Sequence, residues 1–169
     1  GLKPFSQKEG YLQSYPSPYT LIDKAEMTLL LKEIKASGQE EAAPKEIKLE
    51  PGKDFMPLLS SDSGERKAGL IFGGWGISAP ELGYDDYAGL EVEGKFLLCF
   101  RGTPDGADKR YEKYDFHRFR MKTAKEKGAL GVIYIMPEAT ANPNADWIEN
   151  FMPAVLTEKI ADEILKERG

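Results

Sequence analysis

Apolar residues in this chain fall into short runs broken by turn chemistry, and the spacing of those runs predicts the elements. Residues 1–20 are rich in Pro, Ser and Tyr and read as an arm laid across a surface. Met27, Leu30, Leu31 and Ile34 fall at helical spacing with Gly38 able to cap, yet Met27–Leu31 also reads as a buried strand, and so short a run does not decide between them. Gln39–Pro44 is a polar loop. From Ile47 onward the pattern turns to short strands. Glu50-Pro51-Gly52-Lys53 and Ser60–Glu65 are turns, Lys67–Phe72 and Lys95–Phe100 are strands, and Val92-Glu93-Gly94-Lys95 is a tight turn into the second strand. Ala107–Lys127 carries the strongest helix signal, with Tyr111, Tyr114, Phe116, Phe119 and Ala124 among many charges and Gly128 as the stop. The apolar run Gly131–Met136 follows as a buried strand, the helix-to-strand step of an α/β layer. Pro153–Leu156 is a further strand, and Thr157 can cap a last helix, Glu158–Arg168, with Ile160, Ile164 and Leu165 inward. No internal repeat is visible.

Composition narrows this to one folded domain with a real core: 169 residues, 41% hydrophobic and 11% aromatic. A net charge of −5 gives no reason to expect nucleic-acid binding. No apolar run approaches the roughly 20 residues of a membrane helix. The start carries no signal-peptide pattern, and Gly1 reads as a tag-removal scar, so a secretion signal is expected to have been lost upstream. The single cysteine, Cys99, lies in an apolar strand and reads as a buried, inert thiol.

Catalytic chemistry is hard to assemble. His117 is the only histidine and reads as a mid-helix surface or boundary residue. One His and one Cys cannot supply the two or more such ligands a zinc site normally draws on, and no nucleophile elbow is present. Gly73-Gly74-Trp75-Gly76 follows a strand but lacks the spacing of a nucleotide loop, so it reads as a tight bend allowing close backbone approach. Glu81, Asp85, Asp86 and Glu91 form an acidic cluster. Calcium-loop spacing is missing, and Asp85-Asp86-Tyr87 reads as a short capped helical turn. Arg101-Gly102-Thr103-Pro104, at a strand end, is either a contact loop or a plain turn with a solvated Arg.

Taken in order, the strand Gly69–Phe72, Gly73-Gly74-Trp75-Gly76-Ile77, Ala79-Pro80, Tyr84-Asp85-Asp86-Tyr87, Val92-Glu93-Gly94-Lys95 and Arg101-Gly102 closely resemble the signature of protease-associated (PA) domains inserted in co-catalytic zinc aminopeptidases. Lys122–Ile133, Met152–Leu156 and Glu158–Lys166 match the family's following steps, so the resemblance runs from about Leu49 to Gly169. Two departures are Trp75, where the family has a Tyr-based pattern, and the charged insert Asp105–Tyr114. The resemblance implies an α/β (α+β) fold of the swivelling β/β/α type, a β-sandwich or open barrel flanked by helices. It implies residues 1–48 as an arm with strands packing on the domain and 49–169 as the PA domain proper. It also implies a non-catalytic role beside the catalytic peptidase domain of the same chain, shaping substrate access or contacting peptide. Zinc and the general base would lie in that catalytic domain, with neither metal nor cofactor in the part read here. The chain ends where relatives continue, so it reads as a piece of a larger secreted, periplasmic or cell-surface protein. Trp75, Tyr84, Asp85, Asp86 and Arg101 are the expected substrate or partner contacts. Two other functions stay open. One is a free-standing peptide- or sugar-binding module using Trp75, Tyr84, Tyr87 and Trp147. The other is a small enzyme using the acidic cluster.

Overall fold

The structure is a computed structural model that describes residues 21–31, 43–140 and 146–166. Its centre is a five-stranded mixed sheet in the order β3 (Phe55–Pro57), β9 (Ala154–Thr157), β8 (Gly131–Met136), β7 (Phe96–Phe100), β4 (Leu70–Phe72). Strands β4, β7, β8 and β9 run parallel, and β3 pairs antiparallel with β9. The fold is therefore mixed α and β, of the α+β class.

Parallel strands are covered on both faces, and the burial pattern of β8, buried at five of its six positions, follows from that. One face carries Leu97, Cys99, Val132, Tyr134 and Val155 against Met121 and Ala124 of helix α1 (His117–Glu126), with Leu58 and Phe151 closing the cluster. The other carries Leu98, Ile133, Ile135 and Leu156 against Ile160, Ala161 and Ile164 of α2 (Glu158–Lys166). A two-stranded ribbon, β1 (Met27–Leu31) with β2 (Lys45–Leu49), packs Met27, Leu29, Leu31 and Ile47 on this second cluster. The unit β7–α1–β8 is a parallel crossover, which sets the amino end of α1 beside the carboxyl ends of the strands.

The two-fold alternation of Met27, Leu29 and Leu31 decides β1 as a strand, and Leu30, which made the spacing look helical, faces solvent. Ile34 and Gly38 lie outside the described residues, as do residues 1–20. The Val92–Lys95 turn forms as expected, with the Lys95 N–H donating to the Val92 carbonyl at 3.0 Å. The strand expected over Lys67–Phe72 shrinks to Leu70–Phe72, and that expected over Pro153–Leu156 shifts to Ala154–Thr157, since proline has no N–H for the ladder.

The long helix expected over Ala107–Lys127 is two pieces. Asp108 accepts the Arg110 N–H at 3.0 Å and starts a 3-10 helix, Lys109–Tyr114. Phe116 then takes extended backbone (φ −67°, ψ 130°) and α1 begins at His117. His117 is thus not a mid-helix surface residue: it opens α1 on the inward face and is buried, its ring edge-on to Tyr134 with centroids 4.9 Å apart. The helical turn expected at Asp85-Asp86-Tyr87 is also replaced. Tyr84–Asp85 forms strand β6, paired with β5 (Ser78–Ala79) across a 3-10 turn Pro80–Leu82, where proline sits at the first helical position.

A carboxylate-braced loop and its aromatic face

The Gly73–Ile77 segment leaves the carboxyl end of β4 and is held from three sides. Asp86 Oδ2 accepts the backbone N–H groups of Trp75 and Ile77, each at 3.0 Å. Its Oδ1 accepts the Tyr84 hydroxyl at 2.7 Å. The Asp86 N–H donates to the Ile77 carbonyl at 2.8 Å, and the Phe100 N–H donates to the Gly74 carbonyl at 2.8 Å. Gly74 has φ +50°, and a Cβ there would run into the Asp86 carboxylate. Only glycine leaves room for this brace. Charge-assisted bonds to backbone N–H groups are among the stronger kinds.

Asp85 and Tyr84 serve the same brace. Asp85 Oδ1 accepts the Tyr87 N–H at 3.0 Å, an Asx-type turn. Burial, and then the bond to Asp86, push the Tyr84 hydroxyl upward, so it stays a protonated donor. Tyr87 is buried and donates to the Gly76 carbonyl at 3.3 Å. Of the expected contact residues, Tyr84, Asp86, Trp75 and Arg101 are half-buried and Asp85 is exposed; Tyr84, Asp85 and Asp86 each make hydrogen bonds within the loop.

The indole of Trp75 lies on Phe100 with centroids 5.5 Å apart, and Phe100 meets Phe72 edge-to-face at 5.3 Å. Gly102 (φ +97°) brings its backbone under the indole: a Cβ at that position would sit 3.3 Å from it. Phe72 is 39% and Phe100 37% exposed. Three aromatic rings thus form a continuous, partly open surface at the carboxyl ends of β4 and β7. Trp147, exposed where Trp75 is half-buried, stands apart on the segment before β9.

Arg101 is fixed beside this surface. Its Nη1 donates to the Asp115 carbonyl at 3.0 Å, and its guanidinium lies 5.8 Å from the Tyr134 ring centre. Asp115 Oδ1 accepts the Gly102 N–H at 3.0 Å. Beneath it Arg120, whose side chain is wholly buried, donates from Nη2 to the Gly102 carbonyl at 2.6 Å and lies 3.4 Å from Asp115 Oδ1. Burial, then the neighbouring Arg101 and Arg120, hold His117 down at about 4, with Asp115 opposing. Burial pushes the Cys99 thiol up to about 12, so it is no nucleophile at neutral pH. Glu81 accepts hydrogen bonds from Tyr114 and Lys113, is held down at about 2 by them, and so clips the Lys109–Tyr114 helix to the β5–β6 lobe. Among the described residues no group of three or more His, Cys, Asp or Glu side chains can hold a metal ion.

The exposure of Phe72 and Phe100 was not legible from their apolar strand pattern, and Arg120 is hidden among the charges of α1. Spacing does hint at Arg120, which lies on the 117/120/121/124 stripe with Met121 and Ala124. The strand ends thus carry two exposed aromatics, Phe72 and Phe100, beside a hydrogen-bonded Arg101, on a domain of the α+β class.

No protein-family model matches this chain, and no curated protein matches it by sequence. Among solved structures it is similar to the aminopeptidase from Aneurinibacillus sp. strain AM-1, at 18% identity and a TM-score of 0.47. The overlap covers 85% of this chain and 31% of the aminopeptidase, so the chain spans about a third of that protein's length.

Proposed function

We propose that this chain is a non-catalytic contact module, of the protease-associated kind, that works beside a zinc-dependent aminopeptidase-like catalytic domain and shapes access of peptide to it. The observation that carries the proposal is the Asp86 brace. The motif residues that prompted the family resemblance (Gly74, Gly76, Tyr84, Asp86 and Tyr87) meet in one hydrogen-bonded unit, and its outer side offers Trp75, Phe100 and Arg101. Aromatic anchors beside a fixed guanidinium suit peptide, which offers apolar side chains and carboxylates together. In this reading the zinc, the general base and the substrate pocket belong to the catalytic domain, and the protein works in a secreted, periplasmic or cell-surface setting.

Titration of the 15N-labelled chain with Leu-Gly-Gly and with a blocked Ala-Phe-Asp-Ala peptide tests the contact role. The expected result is movement of the Trp75 indole N–H resonance, lost in Arg101→Ala for the acidic peptide. Absence of any movement around Trp75, Phe100 and Arg101 at millimolar peptide would contradict it. A free-standing module would bind the same peptides with no partner domain encoded beside it.

A further inference from the structure

Three basic side chains gather on one buried ring. Tyr134, in β8, has the His117 ring edge-on with centroids 4.9 Å apart, and the Arg101 and Arg120 guanidiniums lie 5.8 Å and 5.9 Å from its centre. Arg101 reaches it from the carboxyl end of β7, and His117 and Arg120 reach it from the first turns of α1. One carboxylate lies among them: Asp115 Oδ1 is 3.7 Å from Arg101 and 3.4 Å from Arg120. Among the described residues, Arg101, Arg120 and Asp115 are the charged groups that act on His117. Burial pushes the Tyr134 hydroxyl above its ordinary range, so it brings no charge to the cluster.

With His117 neutral, two guanidiniums share one carboxylate. A proton on His117 adds a third cation at a buried position, at the amino end of α1, where the helix dipole also opposes positive charge. The same groups hold the chain between β7 and α1. The Gly102 N–H donates to Asp115 Oδ1 at 3.0 Å, and the Gly102 carbonyl accepts Arg120 Nη2 at 2.6 Å. Phe116, in extended backbone, is the joint between the 3-10 helix and α1. The far side of this stretch is fastened differently. Glu81 accepts Tyr114 and Lys113, and those bonds hold its carboxyl down at about 2, so this fastening survives acid that charges His117.

We infer that His117 is an acid latch: its protonation frees the Gly102 end of the 102–116 stretch from the sheet, the Glu81 fastening keeps the other end in place, and Arg101 leaves the Trp75–Phe100 surface. The closed form holds His117 at about 4, and an opened form returns it to the ordinary 6.5. Opening is therefore favoured about twentyfold more at pH 5 than at pH 7, and about a hundredfold more at pH 4. The consequence for peptide rests on the contact role proposed above; the opening itself does not.

His117 is the sole histidine, so in the untagged, labelled chain its ring resonance reports its charge alone. The experiment follows that resonance from pH 7 to pH 4, together with amide exchange of Gly102, Asp115 and Arg120 corrected for the intrinsic effect of pH. About a twentyfold rise in opening at these three amides is expected by pH 5, with the Val132 and Tyr134 amides of β8 unmoved. His117→Gln and His117→Phe, neither of which titrates, are expected to remove the rise. The blocked Ala-Phe-Asp-Ala peptide at ten times its Kd is expected to slow Gly102 opening about tenfold, since it binds the closed form. Opening that does not change with pH, a rise that persists in both variants, or one that spreads equally through β8 overturns the latch. So does a wild-type His117 ring that titrates near its ordinary value, a result that needs no variant to fold. Acid-linked opening that the peptide leaves unchanged keeps the latch and contradicts the contact role.

Discussion

At the residue scale the account turns on Asp86. Its carboxylate accepts two backbone N–H groups and a tyrosine hydroxyl, and the amide of asparagine can serve only part of that set. Asp86→Asn is expected to lower stability by about 2 kcal/mol in urea unfolding, the usual scale for bonds to a charged group. Trp75 fluorescence should change with it, while Asp85→Asn, which keeps an oxygen for the Tyr87 N–H, should cost less. Arg120→Ala removes a buried side chain and uncovers the Gly102 carbonyl, so a loss of about 3 kcal/mol is expected, with faster proteolysis in 103–108. His117 gives the pH test. Its folded value of about 4 lies below its ordinary value of 6.5, so the unfolded chain binds a proton first on acidification. Stability from this group is complete above about pH 6.5 and falls as pH drops towards 4, by up to about 1.4 kcal/mol per pH unit. His117→Gln should flatten that part of the profile, and Arg101, Arg120 and Asp115 are the charges that face it. These residue roles were only partly legible. The glycine run and the acidic cluster stood out in the sequence, but that Asp86 holds the Gly73–Ile77 loop depends on two strands, β5 and β6, too short to announce themselves.

At the element scale the sequence pattern names most strands and misplaces their ends. β7 and β8 are apolar runs bounded by glycine and turn residues, and they appear where the pattern puts them. The stretch 107–127 misleads because its aromatic spacing continues through Asp115 and Phe116, while the backbone breaks there: Asp115 is committed to Gly102 and Arg101 rather than to a helix. Burial orders the elements. β8 and β9, flanked on both sides and covered on both faces, should be the slowest in amide exchange; β4 and the β1–β2 ribbon should exchange fastest among the strands. Equal protection of β4 and β8 would contradict an open β4 edge.

At the scale of the whole molecule, the central sheet carries the exposed aromatics Phe72 and Phe100 at the carboxyl ends of β4 and β7, and several described residues with reactive side chains make structural contacts. Cys99 is buried with its thiol raised, His117 is buried and lowered, and the carboxylates Asp85 and Asp86 bind backbone N–H groups. The lone His and Cys were the reason to expect no zinc site in this stretch, and the motif from Gly69 to Gly102 gave the contact reading its direction. What no sequence pattern could give is which motif residues stay exposed, because that depends on how β6 folds back on the β4 loop. The most direct test of a non-catalytic module is hydrolysis of leucyl-p-nitroanilide by the purified chain in saturating zinc. The account predicts no turnover above the zinc-buffer blank, unchanged by Asp85→Asn. Zinc-dependent turnover that co-purifies with the folded chain and disappears in Asp85→Asn or Asp86→Asn would contradict it.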